Sequence, residues 1–296
     1  MTIIEQKLKS PFPYFGGKSR IAHEVWARFG DVPNYVEPFA GSLAVLLARP
    51  TPPRIETVND IDCFLTNFWR ALCNDPDGVA KWADYPVSEI DLHARHRWLV
   101  EQKDFIEAMR SDPYYYDVQI AGWWVWGISA WIGSGWCKNK QHKKLPLMGR
   151  GMHRIDIDNL YNYFAALSAR LRRVRVCCGD WKRVCTPAVT FGNGLTAVFL
   201  DPPYGNDSGR NDGGYAFEAD DVTRDVHAWC VENQDNPKLR IALCGYEGEY
   251  DLPGWECLAW KANGGYGSQG NGAGRANKHR ERVWFSPHCL KQELLS

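Results

Sequence analysis

No stretch of about 18 or more apolar residues occurs in the 296-residue chain, so no membrane-spanning helix is expected. The opening residues MTIIEQKLKSPF have neither an apolar core nor a small-residue cleavage site, so no secretory signal is expected and the cytoplasm is the expected location. Ten cysteines include no C-x-x-C pair, and the adjacent Cys177 and Cys178 suit neither a metal-ligand set nor a disulfide framework. They read as reduced thiols, mostly small core residues, and no metal is expected. The Gly17-Lys18 pair invites a phosphate-loop reading. That motif needs a glycine at position 12, where Phe12 stands, and a preceding strand, which is missing. There is no internal repeat. Net charge is also absent, with 35 Lys and Arg against 35 Asp and Glu, a balance that by itself argues against a nucleic-acid partner.

The distribution of that charge argues the other way. Residues 137–183 hold twelve Lys and Arg against three Asp, and residues 261–282 hold five against one Glu. Two basic segments on a neutral chain suggest one positive face for a polyanion, although a solvated charged surface would read the same. At 45% hydrophobic and 24% charged, the chain can bury one large core or two unequal ones.

Apolar strands and helices alternate along much of the sequence. Tyr35-Val36-Glu37 reads as a strand entering the turn Pro38-Phe39-Ala40-Gly41, followed by a helix from Ser42 to Ala48. A second strand at Ile55 to Val58 ends at Asn59-Asp60, and residues 62–72 carry Phe64, Leu65, Phe68 and Leu72 at helical spacing. Further strands are expected at 174–177, 197–200, 239–244 and 281–285, with a helix over 158–172. Such interleaving indicates an α/β, doubly wound sheet. Residues 73–157 do not keep that rhythm and read as an inserted, mainly helical domain, which leaves 1–72 and 158–296 as the α/β part. The Gly/Asn/Ser-rich stretch 263–274 reads as a mobile segment.

Asp201-Pro202-Pro203-Tyr204 directly follows the apolar strand 197–200, and an open α/β sheet binds ligands at the carboxyl ends of its strands. An exocyclic amine on a base is a poor nucleophile because its lone pair is delocalised into the ring. Two acceptors on its hydrogens favour pyramidal geometry and free that pair. The Asp201 carboxylate and the Pro202 carbonyl supply them, Pro202 and Pro203 stiffen the loop, and Tyr204 offers a ring on which an extruded base can stack. A proline turn with an Asp cap is the alternative for these four residues alone.

Together with Pro13-Tyr14-Phe15-Gly16-Gly17-Lys18 and Glu37-Pro38-Phe39-Ala40-Gly41, in this order and with a wide gap before the last motif, the tetrapeptide resembles the Dam-like DNA adenine methyltransferases. The resemblance implies a Rossmann-like methyltransferase sheet and transfer from S-adenosyl-L-methionine, without metal, to adenine N6 in flipped-out duplex DNA. It implies that Tyr14, Phe15, Gly16, Gly17 and Lys18 contact the cofactor, with Lys18 near its methionine carboxylate. Glu37, Phe39 and Gly41 would shape the pocket floor, Asp60 would accept the ribose hydroxyls, and Asp201 would border both ligands. Residues 73–157 would be the target-recognition domain. The chain departs from the family at Leu43, where a second glycine is common. Asp180 either lines the adenine end of the cofactor pocket or caps a helix.

Trp123, Trp124, Trp126, Trp131 and Trp136 are spaced to form mainly the core of the inserted domain, with one or two left to reach DNA. Lys138, Lys140, Lys143, Lys144, Arg150 and Arg154 suit phosphate contact, which positions a protein without specifying sequence, as do Arg275 and Lys278. Cytosine N4 or RNA adenine could be served by the same acceptor chemistry, and a DNA-binding module without turnover could keep the same fold. Oligomeric state is not legible.

Overall fold

Each residue of the run Thr196–Leu200 is buried, as expected for a central strand covered on both faces. A computed structural model describes residues 8–14, 17–102, 104–112, 114–131, 136–137, 146, 152, 159–204, 215–260 and 279–291, with the backbone alone for 215–220. Seven strands form one sheet: β1 (Asn34–Glu37), β2 (Ile55–Asp60), β3 (Val174–Cys178), β4 (Thr196–Leu200), β5 (Leu239–Tyr246), β6 (Glu256–Ala259) and β7 (Glu281–Phe285). Their order is β3-β2-β1-β4-β5-β7-β6, with β7 antiparallel to both neighbours and the other pairings parallel. The α/β, doubly wound reading is borne out.

Helices cover the sheet. They are α1 (Ala22–Phe29), α2 (Ala44–Leu47), α3 (Cys63–Asn74), α4 (Pro76–Ala83), α5 (Glu89–Glu101), α6 (Asp104–Ser111), α7 (Val118–Ala130), α8 (Leu160–Leu171) and α9 (Tyr215–Asn233). Asp62 ends the second strand-to-helix turn as a cap, its carboxylate accepting from the Phe64 and Leu65 amides, so α3 starts where the sequence placed it. Strand alternation divides the core. Tyr35, Ala197 and Phe199 join the larger cluster, and Val36, Val198 and Leu200 the smaller one on the opposite face. The larger cluster runs without a break from the sheet through α3 and α8 into α4, α5 and α7, so the helical region of 73–157 shares a core with the sheet-covering helices.

Four of the five tryptophans, Trp124, Trp126, Trp131 and Trp136, are buried in that cluster, and Trp123 is half-buried, edge-on to Trp82 and Trp98. Phe12 packs edge-on against Phe68 and Trp124, at 5.5 and 5.1 Å, and so moors the segment leading into Tyr14 and Lys18. The ten cysteines are free thiols, but only four are buried, one is exposed and five are half-buried, so fewer sit in the core than expected. No helix among the described residues is long and apolar enough to cross a membrane.

Three elements go beyond the expected set. Helices α1 and α9 are present, and β6 forms the far edge of the sheet, where it is too exposed to leave an apolar signature.

Candidate active site

Parallel strands deliver their last residues to one edge of the sheet. Glu37 at the end of β1, Asp60 at the end of β2 and Asp201 after β4 therefore meet there, at the point where the chain reverses its winding between β1 and β4. The antiparallel β7 contributes its first residue instead: Glu281 pairs with Tyr246, the last residue of β5.

Lys18, at the start of a short 3-10 turn (Lys18–Arg20), is buried and reaches across to the tetrapeptide. Its Nζ lies 2.8 Å from Asp201 Oδ1 and donates to the Tyr204 hydroxyl at 2.9 Å, and it faces the Trp260 ring at 5.6 Å. The Tyr204 hydroxyl is also 3.1 Å from Asp201 Oδ1 and 3.0 Å from Glu281 Oε2. The Tyr204 ring packs edge-on against Tyr246 at 4.6 Å. Pro202 is buried and Pro203 exposed, and Thr223 on α9 donates to the Pro203 carbonyl at 3.1 Å. Burial alone would lower the Lys18 pKa, but the nearby Asp201 carboxylate, with Cys244 and Glu281 behind it, raises it above the ordinary lysine value. Burial pushes the Tyr204 phenol well up, with the Asp201 and Glu281 carboxylates adding to the effect. The site thus holds a fixed ammonium ion and a neutral phenol against a carboxylate.

The turn after β1 closes the other side. Gly41 has φ +48°, and a Cβ there would stand 2.7 Å from the Tyr14 ring, so glycine is required both for the backbone and for the close approach of Tyr14. Its amide donates to Asp60 Oδ2 at 3.1 Å, and the Asp62 amide donates to Asp60 Oδ1 at 3.0 Å. Burial raises the Asp60 carboxyl to about 6, and Glu37, buried and accepting from the Tyr35 hydroxyl at 2.9 Å, rises to about 8 for the same reason. Phe39 is half-buried and packs on Trp181 at 5.9 Å.

Leu43 takes a left-handed conformation as well, with φ 58° and ψ 28°. The glycine common at this position in the family that the sequence resembles would suit that backbone. Here the strain, roughly 1–2 kcal/mol, is offset by a fully buried leucine side chain, worth about 1.5–3 kcal/mol.

Of the two readings of Asp180, the structure displays the cap: its carboxylate accepts from the Lys182 amide at 2.8 Å at the start of a 3-10 turn (Trp181–Val184), and the residue is exposed. Gly17 is described and half-buried, with the Tyr14 carbonyl beside it. Phe15, Gly16, Lys138, Lys140, Lys143, Lys144, Arg150, Arg154, Arg275 and Lys278 lie outside the described residues.

The structure therefore brings Tyr14, Lys18, Glu37, Gly41, Asp60, Asp201 and Tyr204 to one edge and adds residues that the sequence did not single out. Tyr35, Tyr246 and Trp260 left no signal beyond their element. Glu281 figured only as the one acid counted in the basic stretch 261–282, with no role attached to it. Among the described residues, no group of three or more His, Cys, Asp or Glu is placed to hold a metal.

Residues 14–146 match the model of the D12 class N6 adenine-specific DNA methyltransferases. The matched span includes Tyr14, Lys18, Glu37, Gly41 and Asp60, and the tetrapeptide at 201–204 lies beyond it. No curated protein matches the chain.

Proposed function

We propose that this chain is an N6 adenine-specific DNA methyltransferase of the D12 class that its residues 14–146 match, that it draws its methyl group from S-adenosyl-L-methionine, and that it acts on an adenine turned out of duplex DNA. The observation that carries the proposal is the convergence of three motifs: Tyr14 against Gly41, Gly41 on Asp60, and Lys18 on Asp201 and Tyr204. A Gly41 turn with no room for a Cβ and a half-buried acidic group at the end of β2 suit a ligand bearing a ribose and an extended amino-acid tail. Tyr14, Gly17, Lys18, Phe39, Gly41 and Asp60 would hold it, with Asp60 on the ribose hydroxyls. The cofactor supplies an electrophilic methyl carbon on a sulfonium, which needs no metal.

The protein's own part is positioning. Asp201 accepts one hydrogen of the adenine amino group and the Pro202 carbonyl the other. This favours the pyramidal nitrogen and stabilises the positive charge that grows on it during attack. Lys18 fixes the carboxylate at 2.8 Å, so its orientation is set before the base arrives. The adenine has to leave the helix because N6 is engaged in a Watson-Crick pair, and the Tyr204 ring receives its face. Residues 73–157 serve as the recognition domain, with Lys138, Lys140, Lys143, Lys144, Arg150, Arg154, Arg275 and Lys278 on phosphates, and the enzyme works in the cytoplasm.

Nucleoside mass spectrometry of unmethylated DNA incubated with the protein and methyl-labelled S-adenosyl-L-methionine tests this reading. Labelled N6-methyladenine is expected. Label in N4-methylcytosine, or in no base, would overturn it.

A further inference from the structure

The Tyr204 hydroxyl has one hydrogen and two carboxylate neighbours. Asp201 Oδ1 is 3.1 Å away and Glu281 Oε2 is 3.0 Å away. The third contact, from Lys18 Nζ at 2.9 Å, is received by the phenol oxygen and leaves that hydrogen uncommitted. The two possible destinations have opposite consequences for Asp201. Its Oδ1 already accepts from Lys18 at 2.8 Å. A second donor on the same oxygen would draw off more of the charge that the target amine is to meet.

Glu281 is built to win the hydrogen. It is buried, and the register of β7 against β5 places it opposite Tyr246, whose ring packs on Tyr204. Its own backbone carbonyl accepts from the Trp260 amide at 3.2 Å, which ties β6 to β7 directly beside the site. Both carboxylates act on the Lys18 ammonium ion, but Asp201 does so more strongly and by direct contact at 2.8 Å, so Glu281 is the acceptor less drawn on by that ion and takes the hydrogen.

We infer that Glu281 is a positioning residue: by taking the Tyr204 hydroxyl hydrogen, it keeps the Asp201 carboxylate open to the amino group being methylated. The inference rests on the proposed function, in which Asp201 is the amine's acceptor. Without Glu281 the phenol turns to Asp201, and the reaction is hindered although every group touching the substrate is still present.

A double-mutant cycle tests this, measuring kcat at saturating cofactor and DNA together with cofactor affinity by calorimetry. Glu281→Ala is expected to lower kcat by about 10- to 100-fold, the range of a charge-assisted hydrogen bond, with cofactor affinity unchanged. In a Tyr204→Phe background no hydroxyl can turn onto Asp201, and the further loss on adding Glu281→Ala should be under about threefold. Should Glu281→Ala fail to give a cooperative melt, Glu281→Gln carries the same cycle with a smaller loss, because the amide oxygen is a weaker acceptor. Equal losses in the two backgrounds, or a loss seen in cofactor affinity and not in kcat, would overturn the role assigned to Glu281 while leaving adenine methylation by the unmutated protein intact. An unmutated protein that forms no N6-methyladenine would overturn the proposed function and this inference together.

Discussion

Replacing Asp201 with asparagine preserves the size of the side chain and removes its charge, so the two duties of the carboxylate can be separated. The first is structural. Lys18 is buried, and Asp201 at 2.8 Å is a direct counter-charge. Removing one member of a buried ion pair typically costs about 3–5 kcal/mol. Here the loss should fall below that range, because the Tyr204 hydroxyl and the Glu281 carboxylate remain around the ammonium ion. The second duty is kinetic. The adenine nitrogen is nearly neutral before attack and carries positive charge afterwards, so a carboxylate acceptor gains strength along the reaction where an amide gains little. Loss of one such oriented group is worth roughly 2.7–4 kcal/mol, or about 100- to 1000-fold in kcat. Transfer of labelled methyl groups to DNA, at saturating cofactor and on protein shown to be folded, reads the second effect free of the first. Turnover within about tenfold of the unmutated protein would refute the assignment.

The remaining predictions concern the cofactor pocket, the frame of the sheet and the DNA face. Asp60 titrates near 6, above the ordinary aspartate value, and hydrogen bonds from ribose hydroxyls favour its ionised form. The dissociation constant for S-adenosyl-L-methionine should therefore be flat above about pH 7 and rise as pH falls through 6, by about tenfold at one unit below it. Calorimetry from pH 5 to 8 checks this, and the same profile in Asp60→Asn would show that another group is responsible. Glu56 is buried on β2 and holds Arg170 through two bonds, at 2.7 and 2.9 Å, and Arg49 at 3.2 Å. Glu56→Ala removes the counter-charge of Arg170 and leaves Arg49 with only Asp31 at 4.0 Å, and should destabilise the fold by about 3–5 kcal/mol. A loss below about 1 kcal/mol in urea titration would mean that solvent reaches the pair. Replacing Lys138, Lys140, Lys143 and Lys144 together by alanine should weaken binding to duplex DNA of any sequence. The slope of log affinity against log salt should flatten by up to about 0.9 for each phosphate that the protein no longer neutralises, at constant cofactor affinity. An unchanged slope would move the DNA face to Arg275, Lys278, Arg280 and Arg282.

The parts of the fold legible in sequence were those whose local pattern is dictated by burial. Strands β4 and β5 are covered on both faces and read as apolar runs, and the spacing of Phe64, Leu65, Phe68 and Leu72 announced α3, which Asp62 caps. Strand β6 escaped because exposure leaves an edge strand no apolar period, and α9 because its side chains do not sort into a clear apolar stripe. Within the site the same division holds, for a reason of topology. A parallel strand delivers the residue that follows its apolar run, so Asp60 and Asp201 are visible as acids placed just at or beyond a strand's end. An antiparallel strand in the same sheet delivers the residue that opens it. Nothing in Glu281-Arg282-Val283-Trp284-Phe285 marks the strand as antiparallel, so Glu281 reads as an ordinary first residue. Only its pairing with Tyr246 places it beside Tyr204, and only then does the hydroxyl's single hydrogen become a choice between two carboxylates. Residues of this kind, at the amino end of the reversed strand, are where a chemical role is least visible in sequence and most directly fixed by the order of the sheet.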